Sequence, residues 1–328
     1  MHKVKASAPG KLMLFGEHSV VFGHPCLVTA VDLRLSVTVE ENDEHFFSLE
    51  APDLALFDYH KSRQELGQGN LLKAASFLET CLSFFLQRHP QEHGVKVLSK
   101  NEFTSSYGLG SSSASTVALA KALGEFYGVR LDNEELFDLC YQVVLSVQGV
   151  ASGFDIAAAI WGGTLYYVTP KAPAKQPSVL PLAIDELPLV VGYTGIKADT
   201  ATLIRKVQAA YSENQQQIAS IFEQISNLVE QARSALTASD FAKVGELMTA
   251  NQNLLRQLQV SSSELENLIV ASLAAGALGA KLSGAGGGDC MLAVAKPAQS
   301  AAVAQAIASV SGKIIEVKTN AEGVRLEN

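Results

Sequence analysis

Three glycine-rich segments and one isolated carboxylate carry the chemistry that this 328-residue sequence offers. The run Gly108-Leu109-Gly110-Ser111-Ser112-Ser113-Ala114-Ser115 leads straight into an apolar segment with helical spacing. Glycines let a ligand approach the backbone. The first-turn amides of a helix lack intrahelical partners, and the helix dipole favours negative charge beside them. Serines there can cap the helix, bind phosphate oxygens or reach a metal ion. No GK[ST] follows, and the third glycine of a dinucleotide fingerprint is missing. A serine-capped helix after a tight turn explains the same residues.

Lys281-Leu282-Ser283-Gly284-Ala285-Gly286-Gly287-Gly288-Asp289 has four glycines in five positions, 284–288. Such a slim loop can close over phosphates or a substrate, or it is a connector. Near the N-terminus, Ala8-Pro9-Gly10-Lys11 precedes Leu12-Met13-Leu14-Phe15 and then Gly16-Glu17-His18. A lysine beside a short apolar strand supplies a fixed charge when partly desolvated. A solvated turn lysine and a hydrogen-bonded loop histidine are the plain alternatives. Asp155 stands before the apolar run Ile156–Ile160. It reads equally as a helix N-cap or as a carboxylate placed for proton abstraction or metal binding.

The elements that must position these groups alternate in type. Residues 3–50 read as strands. Residues 69–88 have helical spacing with Asn70 as the cap, and 94–100 read as a strand. Helices are expected over 111–128, 133–147 (opened by Asn133) and 155–161, with a strand at 164–168. The proline-rich stretch 170–188 marks a boundary, giving domains 1–185 and 186–328. The second half reads as a strand at 188–193, a long helical region over 199–258 and a helix over 262–281. A strand at 290–295, a helix at 298–309 and terminal strands within 313–326 complete it. Strands and helices mixed in both halves indicate an α+β protein with two lobes.

Composition excludes several function classes. With 48% hydrophobic residues the chain can build a sizeable core, and 25 basic against 33 acidic residues give −8. Disorder is excluded, and a duplex nucleic-acid partner is not expected of an acidic chain. The four cysteines show no C-x-x-C spacing, so neither zinc nor a redox motif is indicated. A reducing, cytoplasmic compartment is the simplest reading. The N-terminus has no apolar signal region, and Leu268–Ala280 is too short and too rich in alanine and glycine to span a membrane.

APGK, GLGSSSAS and SGAGGGD occur in that order, roughly 100 and then roughly 170 residues apart. This arrangement resembles the GHMP small-molecule kinases, named for galactokinase, homoserine kinase, mevalonate kinase and phosphomevalonate kinase. The run Gly16-Glu17-His18-Ser19-Val20-Val21-Phe22-Gly23 is most similar to the mevalonate kinase branch, as are Tyr193–Thr200 and Trp161-Gly162-Gly163. The resemblance implies a ribosomal protein S5 domain 2-like N-terminal lobe and a ferredoxin-like C-terminal lobe. It implies transfer of the ATP γ-phosphoryl to the primary hydroxyl of mevalonate. Gly108, Leu109, Gly110, Ser111, Ser112 and Ser113 would cradle ATP, with Ser112 near Mg²⁺. Asp155 would accept the hydroxyl proton, with Lys11 beside it. Glu17, His18, Thr200, Gly284, Ala285 and Gly286 would surround the acceptor. Residues 61–73 would hold the adenine, and family members are often homodimers.

Two departures bear on this. Many mevalonate kinases carry a magnesium-binding glutamate eleven positions before the aspartate, where this chain has Val144. Residues 148–159 resemble phosphomevalonate kinases instead. That enzyme is therefore the second reading, with Lys197, Arg205 and Lys206 as cations for a second phosphate. A catalytically silent metabolite sensor is the third, disfavoured because Lys11, Asp155 and both loops are kept.

Overall fold

The computed structural model describes residues 2–42, 46–69, 71–102, 107–170 and 176–327. The expected cap at Asn70 lies outside them. Strands β1 (Lys3–Phe15) and β2 (Pro25–Glu41) pair antiparallel at the centre of the larger sheet. Further strands are β3 (Phe46–Ala51), β4 (Leu56–Ser62), β5 (Val95–Asn101), β6 (Thr164–Val168), β7 (Ser178–Leu182) and β12 (Arg325–Glu327). The order is β12-β1-β2-β5-β3-β4, with β6 on the other half of β2 and β7 outside it. Helices α1 (Ser76–Arg88), α2 (Ser111–Phe126), α3 (Asn133–Gln148) and α4 (Phe154–Trp161) belong to this lobe.

The apolar run Lys11–Phe15 is buried throughout because β1 is covered on both faces. Side chains alternate across a strand. Met13 accordingly packs into the core beneath α2 and α4, while Leu12 and Leu14 pack into a second core with the C-terminal helices. In β2, Val28 joins the first core, and Leu27 and Val31 join the second.

The second lobe has a four-stranded antiparallel sheet ordered β11 (Lys313–Ile315), β8 (Leu189–Tyr193), β10 (Cys290–Val294) and β9 (Gly279–Ser283). Its helices are α5 (Thr200–Glu213), α6 (Gln215–Thr237), α7 (Phe241–Gln257), α8 (Ser263–Ala274) and α9 (Pro297–Ser309). Their apolar faces fill the core, including Ile221, Ile225 and Val229 of α6. Among the described residues, no helix is long and apolar enough to cross a membrane.

Several boundaries differ from the sequence expectation. The helical region 199–258 breaks at Asn214 and Asp240, each of which caps the next helix with its side chain. The helix expected to reach 281 stops at Ala274, and Gly279–Ser283 pairs with β10 instead. The cap of α3 is Asp132, in a capping box with Glu135, rather than Asn133. The domain boundary at 185/186 lies between β7 and β8, but β12 crosses back to pair with β1 in the N-terminal lobe.

Polar side chains close the seam between the lobes. The Ser283 hydroxyl donates to the Met13 carbonyl and accepts from the Met13 N–H, both at 3.0 Å. The Lys281 ammonium pairs with the Glu17 carboxylate, both fully buried, and Asn251 donates to the other Glu17 oxygen at 3.0 Å. Glu17 therefore does not line an acceptor site as expected. It sits just beyond the end of β1, where the strand meets the other lobe, and is consumed by the seam. Removing one partner of a buried pair strands the other charge, at a cost of about 3–5 kcal/mol. Lys281→Met should lose that much in urea unfolding, and adding Glu17→Gln should restore a large part of it.

Candidate active site

A cavity of about 820 Å³ opens between the lobes. Lys11 reaches it from β1, and Ser111 and Ser112 from the first turn of α2. The cap residue of α2 is Gly110 at φ 79, with no side-chain cap. The serines therefore do not cap this helix. Its first-turn amides keep no side-chain acceptor among the described residues, which leaves them available to an anion. The positive φ of Gly110 disfavours any side chain, and an added Cβ would also crowd the Lys11 Cγ at 3.2 Å and touch the Asp155 Cβ at 3.7 Å.

Lys11 is fastened to that loop twice. Its N–H donates to the Leu109 carbonyl and its Nζ to the Gly108 carbonyl, both at 2.9 Å. The ammonium also lies 5.5 Å from the centre of the Phe154 ring. Burial pushes its pKa below the ordinary lysine value, while the fields of Asp155 and Asp289 push back. Asp155 is the second residue of α4, whose cap is Gly153, so the N-cap alternative for Asp155 does not hold. Its Oδ2 accepts from the Ser113 hydroxyl at 2.5 Å.

On the facing wall, His18 Nε2 hydrogen-bonds the Ala285 carbonyl at 2.9 Å, so that nitrogen carries the proton. Burial lowers the His18 pKa and so favours the neutral ring, while the bond to the Ala285 carbonyl pushes back. Thr200, Gly284 and Ala285 line the same cavity, and Val20, Val21, Val144 and Val150 add an apolar wall.

The structure thus brings together Lys11, His18, Gly108, Gly110, Ser111, Ser112, Asp155, Thr200, Gly284 and Ala285. It does not bring four others there. Leu109 is buried and contributes its carbonyl to Lys11. Ser113 is fully buried and faces Asp155. Gly286 packs on the turn after α7, where an added Cβ would lie 2.0 Å from the Val260 carbonyl oxygen. Glu17 is in the seam. Three successive helical residues point about 100° apart, so Ser111, Ser112 and Ser113 cannot all face one ligand.

Sequence reasoning missed Asp289 as a site residue. Its carboxylate accepts the Ala198 N–H at 3.0 Å and lies 3.6 Å from the Lys197 ammonium. Its backbone also bonds Ile196 and Thr194, holding the 194–198 turn against the cavity. The signal was its place directly after the glycine run. Lys197 lines the cavity, whereas Arg205 bonds Thr202 and Lys206 bonds the Gln259 carbonyl outside it.

A second cavity, of about 670 Å³, shares Lys73, Phe77, Ser111 and Ser112 with the first. Leu35, Leu54 and Leu78 form apolar walls, with Ser99 and Asn101 among its polar groups. Of the described residues in the expected adenine stretch 61–73, Lys73 alone lines it. Among the described residues, no cluster of three or more His, Cys, Asp or Glu side chains could hold a metal ion.

Residues 70–163 match the GHMP kinases N terminal domain and residues 232–311 the GHMP kinases C terminal domain. A mevalonate kinase of Thermococcus sibiricus is 38% identical over 99% of both chains. The chain belongs to the GHMP kinase family, on its mevalonate kinase branch. Among solved structures, L. major mevalonate kinase in complex with R-mevalonate is 28% identical with a TM-score of 0.79, covering 97% of this chain and 96% of that one. Streptococcus pneumoniae phosphomevalonate kinase shares the fold at 19% identity, with a TM-score of 0.79 over 97% and 100% of the two chains. The protein is thus a small-molecule kinase, and phosphoryl transfer requires mainly positioning and charge stabilisation.

Because burial lowers the Lys11 pKa, the ammonium loses its proton at lower pH than the ordinary 10.5. The alkaline limb of kcat/KM, which reports the free enzyme, should therefore fall below that value. Lys11→Arg, which keeps its charge past pH ~12, should move the limb upward while lowering the maximum.

Proposed function

We propose that this kinase transfers the γ-phosphoryl group of magnesium-bound ATP to the primary hydroxyl of mevalonate. The observation that carries the reading is the convergence of Lys11, Asp155 and the uncapped N-terminus of α2 on one interlobe cavity. The α2 amides and the glycine backbone would hold the phosphates, and the Ser112 hydroxyl at the cavity would be a ligand for the magnesium carried by ATP. Few protein ligands suffice, because Mg²⁺ keeps waters and phosphate oxygens around it. Adenine fits the second cavity, whose apolar walls and polar rim adjoin Ser111 and Ser112.

In the reaction, the acceptor oxygen bonds the γ-phosphorus as its proton passes to Asp155. The bond from phosphorus to the bridging oxygen breaks, and ADP leaves with that electron pair. Lys11 offsets charge on the transferring group. The acceptor would lie between His18, Thr200 and the Gly284–Ala285 turn, its methyl group against the valine wall.

The cavity also speaks to the choice of acceptor. Its lysines among the described residues are Lys11, Lys73 and Lys197. Lys11 is bonded to the loop before α2 and Lys73 also lines the second cavity, which leaves Lys197, beside Asp289, as the remaining lysine for the acceptor's anionic group. A carboxylate suits it better than a carboxylate and a phosphate together. Four buried free cysteines suit the reducing cytosol.

ADP release with mevalonate, 5-phosphomevalonate, homoserine and galactose side by side tests the reading. Turnover with mevalonate is expected. Turnover confined to 5-phosphomevalonate would replace the acceptor, and none with any of them would return the silent sensor. Asp155→Asn should lower kcat by about 10²–10⁴-fold, the range for a lost general base, with ATP affinity retained by calorimetry.

A further inference from the structure

We propose that Ser113 is a positioning residue for Asp155. Its hydroxyl occupies Oδ2 of the carboxylate and reserves Oδ1 for the proton of the acceptor. The inference rests on the proposed role of Asp155 as proton acceptor.

The geometry separates Ser113 from its neighbours. Ser111 and Ser112 line the cavity, whereas Ser113 is 0% exposed and donates to Asp155 Oδ2 at 2.5 Å. Hydroxyls inside a helix usually bond back to a carbonyl one turn earlier. Thr116 does so, donating to the Ser112 carbonyl at 2.8 Å. Ser113 crosses instead from the first turn of α2 to the first turn of α4.

This bond is the one side-chain hydrogen bond that Asp155 makes among the described residues. Lys11 is bonded to the Gly108 carbonyl and reaches Asp155 through its field. The α4 cap, Gly153, supplies no side chain, so among the described residues no other side chain on that turn orients the carboxylate. A carboxyl group rotates about its last torsion with two equivalent oxygens. A base must hold one oxygen in line with the acceptor proton, and small misplacements are costly in rate. A bond to Oδ2 that is itself shielded from water removes that freedom and leaves Oδ1 facing the cavity.

Ser113→Ala should lower kcat on the order of 10–100-fold, as expected for a lost hydrogen bond to a charged group. KM for ATP and for mevalonate should change less than about twofold, because Ser113 touches neither. The deciding measurement is a double-mutant cycle with Asp155→Asn. If Ser113 acts through Asp155, adding Ser113→Ala to Asp155→Asn leaves the residual kcat unchanged. An equal cost in both backgrounds, an unchanged kcat in the single variant, or a raised KM for ATP alone would each overturn the proposal. The last would make Ser113 a nucleotide contact. Thermal unfolding and circular dichroism monitor the fold. Should the alanine variant unfold, Ser113→Cys, similar in size and a weaker donor, takes the same readouts. If Asp155→Asn itself keeps full turnover, the role of Asp155 fails rather than that of Ser113.

Discussion

A strand buried on both faces is the constraint on which this molecule depends. Over Leu12–Leu14, β1 sends alternate side chains into two different cores, and Phe15 joins the second after a shift in register. The two lobes therefore share a strand rather than a linker, and the cavity between them has one rigid wall. Lys11 is the first polar residue of that wall to face the cavity. Its backbone and ammonium both hold the loop that starts α2. The positions of the helix N-terminus, of Asp155 and of the charge between them all follow from where β1 lies.

An acidic chain that binds a highly charged nucleotide does so through local fields. Net charge governs solubility and long-range steering, while a site is set by dipoles and nearby charges. Here the uncapped turn of α2, Lys11 and Lys197 supply the positive field, and Asp155 and Asp289 stand opposite. Burial strengthens the interactions of Lys11, whereas Lys197 is half exposed and more screened. Burial also lowers the Lys11 pKa, so the same desolvation that strengthens its field limits the pH range over which it stays charged.

The seam shows how a motif can mislead. Glu17 and His18 are adjacent in sequence, but the chain turns between them and their side chains part. His18 bonds the Ala285 carbonyl at the cavity, while Glu17 is sealed against Lys281 and Asn251. Both contacts bind the same two segments together, and Ser283 adds a third between them. The Gly284–Ala285 turn is thus held close to His18 by a buried ion pair outside the cavity lining.

By itself the sequence determined the element types and the groups that can do chemistry. Local propensity and spacing mark α2, α4, β6 and β10 nearly to the residue, the first two glycine-rich motifs hold Lys11 and Ser112, and the family resemblance singles out Asp155. What it could not determine is which way side chains face. Three consecutive serines look alike in a motif, yet helical rotation sends two to the cavity and one to Asp155. Residues 279–283 continue an apolar, alanine-rich segment and look helical, but the open edge of β10 draws them into the sheet. Asp289 looks like the end of a glycine run, and only its contacts with Lys197 and Ala198 make it part of the site. Spacing along the chain is a local property. Burial, pairing and direction are set by partners far away in sequence, and those exist only once the two lobes have closed on β1.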